Sequence, residues 1–397
     1  MNNIDLVSPW ASVLIIASVG RVEVLQTEWI KNVNCFYVEC NCIVNFTKVN
    51  ISSSFITAVQ ILSGKEKAGR NSAMKIHFER CIFDSNKGNH MIVNSKGPYL
   101  YLLLNNVQVN GTKMLKRGTK SVLDVLVANE TMGSTIRLQN VLIENAIGSA
   151  SVILRIRRNS SNKLKVEIVD SVFRKIRSVY SDKFHTIASP LSIDMPGINP
   201  EIDCSSSYLR FLHNNTVIIV NTTFENNIGR ASGGVFVTSE GGAMLKIENS
   251  TLRQASPETI YNEETFTHDT SIYSESMSSL CLQKTLVVAD LEKDTYRLFS
   301  VAKAGLVTFD NFSQVQCAVG SFLRIDNFSH FMTLWPRKTA CKFKTTVMTI
   351  SCHRCLAGFY SLERGELRGL PSKNKNRQCR QTFAFHALME QTVLVTS

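Results

Sequence analysis

Four cysteines near the C-terminus, Cys341, Cys352, Cys355 and Cys379, stand with His353 as the densest group of metal-competent side chains in the chain. A structural zinc site needs two cysteine or histidine pairs at short spacing, and only Cys352-x-x-Cys355 supplies one. Oxidised pairs are the better reading, with Cys35, Cys40, Cys42, Cys204 and Cys281 as further disulfide candidates. Cys204 and Cys281 fall in two irregular stretches and are expected to join them. The total of 11 cysteines is odd, so one thiol stays free or pairs outside this chain.

A second group is basic: Arg155, Arg157, Arg158, Lys163 and Lys165, followed by Arg174, Lys175 and Arg177. On a strand, Arg155 and Arg157 project to one face while Leu154 and Ile156 turn to the other. Strands stacked at about 4.8 Å would make these residues a ladder able to meet sulfates or carboxylates. The plain alternative is a solvated surface that keeps the protein soluble. A glycoside hydrolase needs two carboxylates about 5 to 9.5 Å apart across a cleft. Asp170 and Asp310 instead sit at predicted strand ends, where a turn acid is the ordinary role, and the eight histidines are dispersed. The expectation is a chain with no catalytic residues, no metal and no cofactor; a carbohydrate-active lyase or hydrolase is the rival.

Compartment and charge bound the partners. Asn-x-Ser/Thr sequons occur at Asn45, Asn50, Asn110, Asn129, Asn159, Asn214, Asn221, Asn249, Asn311 and Asn327, which with the clustered cysteines points to an extracellular or cell-surface glycoprotein. At Asn221 and Asn249 a turn-forming role competes with glycosylation. The formal net charge of +12 favours polyanions, glycans among them, while zinc-finger and RNA-binding signatures are missing, so nucleic acid is not expected. Other cell-surface proteins are the second class of partner. No run approaches the roughly 20 apolar residues of a membrane span, so any anchoring is expected through segments outside this sequence. Residues 1–21 read as a weak signal peptide or a first coil.

The elements that would position these groups follow a repeated frame. Ile219-x-Asn221-x-x-Phe224 recurs as Ile247-x-Asn249-x-x-Leu252, and upstream as Val24-x-Gln26-x-x-Trp29, Phe78-x-Arg80-x-x-Phe83, Leu104-x-Asn106-x-x-Val109, Leu138-x-Asn140-x-x-Ile143 and Ile168-x-Asp170-x-x-Phe173. A weaker copy spans Phe46 to Ile51. Each copy is a short strand running into a bend that resets the alternation of faces, so one large apolar anchor per copy turns inward. One coil cannot bury its anchor alone, and stability then depends on neighbouring coils. Gly88, Gly148 and Gly229, at the same distance after their anchors, are expected at tight turns with positive φ. Residues 178–215 and 253–304 interrupt the rhythm and read as loop excursions.

Phe83-Asp-Ser-Asn86 and Phe224-Glu-Asn-Asn227, taken with Gly233-Gly-Val235 and Gly241-Gly-Ala243, resemble the repeats of polymorphic outer membrane proteins. That resemblance implies a right-handed parallel β-helix of the pectin-lyase-like class over residues 22–345. The run Cys352-His-Arg-Cys355-Leu-Ala-Gly-Phe-Tyr is similar to the start of the EGF-like or ephrin-receptor-like modules of large invertebrate cell-surface proteins. It implies a partial Cys-rich module over 346–380, with 381–397 an unstructured or aberrant tail. The expected fold is therefore all-β, a solenoid with a small Cys-rich end. The expected function is non-enzymatic, structural or in recognition.

Overall fold

The computed structural model describes strands between Val13 and Gln381 together with the tight corners that join them; the longer connections, chiefly 1–12, 64–72, 179–190, 196–214, 256–269, 369–379 and 382–397, lie outside the described residues. Among the described residues the chain is all-β, with no helix.

Its strands sort into three long sheets of 12, 10 and 11 strands, visited in turn. One circuit runs Asn34–Cys40 in the first sheet, Ile43–Thr47 in the second and Asn50–Ser52 in the third; the next runs Thr57–Leu62, Met74–Glu79 and Ile82–Asp84. Each strand pairs in parallel with its equivalent one circuit on, Phe46 against Phe78 and Ile51 against Phe83. Residues at equivalent positions thus form columns along each sheet.

The repeated frame is the corner between the second and third sheets. Ile219 is the last inward residue of its strand, Asn221 takes a left-handed conformation at φ 54°, and Phe224 is again inward. Gln26, Lys48, Arg80, Asn106, Asn140, Asp170, Asn249 and Lys284 occupy the same left-handed position. Asn and Asp enter that region readily, whereas Lys and Arg are held there by tertiary context. The context is a backbone bond to the next circuit: the Asn221 amide donates to the Glu248 carbonyl at 3.0 Å, and the Arg80 amide to that of Asn105 at 2.9 Å.

The predicted anchors form one column. Phe83, Val109, Ile143, Phe173, Phe224 and Leu252 are consecutive register partners, each at most 1% exposed. The Phe173 and Phe224 rings lie 5.0 Å apart, and in the neighbouring column Phe46 stacks on Phe78 at 4.8 Å. Inward residues of all three sheets belong to a single apolar core. Buried Asn86 and Asn227 satisfy the backbone of the previous circuit: the Oδ1 of Asn227 accepts from the Ile176 amide at 3.0 Å and its Nδ2 donates to the Phe173 carbonyl at 2.9 Å.

Gly148 and Gly229, expected at left-handed turns, lie instead in the two-residue strands Ile147–Gly148 and Ile228–Gly229 of a small fourth sheet. The left-handed residues come three positions earlier, at Asn145 and Asn226, because the bend follows the third-sheet strand directly. Gly88 lies outside the described residues. Within 178–215 the strand Leu191–Met195 joins the first sheet, and within 253–304 the strands Thr270–Glu275, Ser279–Gln283 and Leu286–Asp290 contribute to all three. Leu282-x-Lys284-x-x-Val287 is a further copy of the frame.

At its far end the parallel order stops. Cys341–Arg354 pairs antiparallel with Thr295–Ala302 and with Ser321–Leu334, and Glu366–Arg368 pairs antiparallel with Gln314–Cys317. The residues compared above with the start of a Cys-rich module therefore begin as the end of a first-sheet strand. Phe359–Tyr360 and Arg380–Gln381 form a separate antiparallel pair.

Candidate functional site

The basic residues of 155–177 are distributed around one circuit. Arg155, Arg157 and Arg158 belong to Leu154–Arg158 of the first sheet, where Arg155 is the register partner of Asp124 and Ser192, and Arg157 of Leu126 and Asp194. Arg158 falls one position on, in register with Val127. Lys163 lies outside the described residues. Lys165 is on the second sheet, where its Nζ meets Glu167 at 2.7 Å. Arg174 is on the third sheet, and its Nη2 and Nε meet the Glu144 carboxylate at 2.6 and 2.7 Å. Lys175 occupies a left-handed corner at φ 54°, and Arg177 is in the small sheet. The structure thus groups Arg155, Arg157 and Arg158 on one strand and carries Lys165, Arg174, Lys175 and Arg177 to other sheets or corners.

The corners cause this dispersal by turning the chain to another sheet, and the parallel register then decides which charges meet. Equivalent outward side chains are neighbours at about 4.8 Å, so like charges in one column repel and opposite charges attract. One third-sheet column accordingly reads Glu144, Arg174, Glu225, Arg253. Other described acids are engaged too: Glu23 by Arg21 at 2.7 Å and Glu248 by Lys246 at 2.8 Å, each two residues away on its own strand, and Glu79 by the Asn105 and Asn106 amides one circuit on at 2.7 and 3.3 Å. Asp170, read as a turn acid, starts an amide ladder on the corner. Asn221 Nδ2 donates to its carboxylate at 2.8 Å, and Asn249 Nδ2 to the Asn221 carbonyl at 2.6 Å.

At two sequons, Asn221 and Asn249 are left-handed turn residues whose side-chain amides are engaged along the ladder. Asn45 faces outward on the second sheet; with its amide turned so that Oδ1 faces Arg21, it accepts from Nη2 and Nε at 3.0 and 3.1 Å. Asn50 Nδ2 donates to Glu28 at 3.4 Å, and exposed Asn110 accepts from Asn145 Nδ2 at 3.0 Å. Asn327 is in the strand Ser321–Leu334, while Asn129, Asn159, Asn214 and Asn311 lie outside the described residues.

Cys40 and Cys42 form a disulfide across the corner between the first and second sheets. Cys352 pairs with Cys317, a residue not singled out in the sequence, and this bond fixes the antiparallel end to the last parallel strand of the third sheet. Cys355 is also disulfide-bonded. Cys281, expected to pair, is a free thiol: it faces outward on the second sheet between Lys246 and Thr308, with no cysteine across from it. Cys81 is free and buried, and burial pushes its thiol up to about 11. Cys35 and Cys341 are strand residues, and Cys204 and Cys379 lie outside the described residues.

Sequence reasoning passed over the outer face of the second sheet. In register, Arg21, Ile43, Lys75, Tyr101 and Thr135 make one column, and Glu23, Asn45, His77, Leu103 and Arg137 the next. The Tyr101 ring stands edge-on to His77 at 5.6 Å. His77 is held below its ordinary pKa by burial and then by the charges of Lys75 and Arg21. The signal was present as the polar residues alternating with apolar ones just before each frame. No family model, curated protein or solved structure gives a significant match to this chain.

Proposed function

We propose that the three sheets are faces of one right-handed parallel β-helix with a partial Cys-rich end, and that the chain is a non-enzymatic extracellular or cell-surface protein with a structural or recognition role, contacting glycans or other polyanions. The handedness rests on the near-universal right-handed sense of parallel crossover connections. The observation that carries the role is the engagement of outward acids in contacts between circuits, Glu144 with Arg174, Glu79 with Asn105 and Asp170 with Asn221, which tie the stack together. Ion pairs of this exposed kind add little each, yet their repetition along a column sets register as well as charge.

The disulfides Cys40–Cys42 and Cys317–Cys352 fit an oxidising compartment. Expression of the chain behind a secretory leader in eukaryotic cells tests the reading. The expected product is released, shifts in mobility on glycosidase treatment, and yields alkylated Cys317 and Cys352 only after reduction. A retained, unglycosylated product with free thiols at those positions overturns it.

A further inference from the structure

The geometry points to the outer face of the second sheet around Tyr101 as the docking surface for a linear acidic polysaccharide in which charged and neutral sugars alternate; this rests on the extracellular reading above. Basic side chains fall on every second strand of that face. Arg21 is on Arg21–Leu25, Lys75 and His77 are on Met74–Glu79, and Arg137 is on Ser134–Gln139. The strands between, Ile43–Thr47 and Leu100–Asn105, present Asn45 and Tyr101 outward and carry no charge. Two strand spacings are about 9.6 Å, which is of the order of one disaccharide along an extended chain. Amide and aromatic groups alternating with cations match neutral sugars alternating with acidic ones.

The acids nearby leave the middle of this pattern intact. Glu23 neutralises Arg21 at 2.7 Å and ends the alternation on that side, whereas Glu79 is taken by Asn105 and Asn106, and Lys75 has no acidic partner among the described residues. Arg137 Nη1 is 3.8 Å from Glu167, whose closer partner is Lys165 at 2.7 Å. That pair also ends the alternation, since the charge of Lys165 is neutralised on the next strand. His77 Nε2, Asn105 Oδ1 and Arg137 Nε, three shielded polar atoms of this face, lack a hydrogen-bond partner. Side-chain rotation towards a ligand would supply one.

The test is binding of the full secreted chain to immobilised chondroitin sulfate, with dextran as the uncharged control. Lys75→Glu combined with Arg137→Glu is expected to weaken binding about a hundredfold, about tenfold for each charge-assisted contact, with an unchanged far-ultraviolet circular dichroism spectrum. Tyr101→Ala is expected to weaken it less, and Arg155→Glu with Arg157→Glu not at all. Wild-type affinity in the Lys75/Arg137 variant overturns the site. Loss of binding in the Arg155/Arg157 variant alone overturns it too, while leaving the polyanion reading standing on the first sheet. A wild-type chain that ignores chondroitin sulfate, or that binds dextran equally, overturns the site, while the extracellular reading stands or falls on the secretion and glycosidase test above.

Discussion

The corner between the second and third sheets is built in two chemistries along the same stack. In the earlier circuits the buried residue after the left-handed position is Val49, Cys81, Val107 and Val141; in the later ones it is Ser171, Thr222, Ser250 and Thr285. The backbone is alike throughout: the Val107 carbonyl accepts from the Leu142 amide at 2.9 Å, and that of Ser250 from Leu286 at 2.9 Å. The hydroxyls add a second set of bonds. Ser250 Oγ donates to the Glu248 carbonyl at 2.7 Å and accepts from the Thr222 amide at 3.1 Å, and Ser313 Oγ accepts from Thr285 at 3.2 Å. Cys81 stands between the two types, its thiol directed at the Glu79 carbonyl two residues back, the acceptor position that the hydroxyls use. The bend is thus set by main-chain pairing, and the inner side chain is free to be apolar or to bridge circuits.

The largest break should come from what both halves share. Phe224→Ala removes a fully buried ring from the anchor column and is expected to cost about 3 to 5 kcal/mol, read from the denaturant midpoint. Next is a pH effect confined to the earlier half. His90 is wholly buried against Phe83, and burial pushes its pKa down to about 3. The unfolded chain protonates this histidine near its ordinary value of about 6.5, so stability falls as pH drops below that value and continues to fall towards about 3. Between pH 6.5 and 4.5 the loss should be about 2 to 3 kcal/mol, absent in His90→Phe if that variant folds.

A finer pair of substitutions sharpens the contrast itself. Ser250→Ala strands a buried amide and is expected to cost about 1 to 3 kcal/mol, whereas Cys81→Ser should stay within about 1 kcal/mol, since its hydroxyl finds the Glu79 carbonyl. Equal losses would show that the two halves are not distinguished by these bonds. Smallest of all, Lys165→Ala and Arg174→Ala, at partly exposed pairs, should each change stability by less than about 1 kcal/mol.

The anchors and bends were legible because period-2 alternation broken at a fixed place has few solutions: Phe83, Ile143, Phe173, Phe224 and Leu252 share one column in the order read from the chain. Leu282-x-Lys284-x-x-Val287 escaped notice because it stands inside 253–304, a stretch whose surroundings break the rhythm and read as a loop excursion. The basic cluster at 155–177 looked continuous in sequence, yet each corner turns the chain to another sheet, so adjacency in sequence becomes separation around the circuit. Lys75, Tyr101 and Arg137 show the converse, distant in sequence and gathered by register. The Cys317–Cys352 bond was hidden for the same reason, since it depends on where the reversed strand comes to rest.

That reversal has a consequence for solubility. A row of like-directed strands is a template on which any similar segment, from this molecule or another, can continue in the same sense. In the third sheet Glu366–Arg368 is the edge and presents the opposite chain direction to whatever approaches from that side, and the Cys317–Cys352 bond ties this terminus in place. In the first sheet Cys341–Arg354 is itself covered by Ser321–Leu334, which runs in the original direction. Fibre-like propagation in the original direction is blocked at the third-sheet edge.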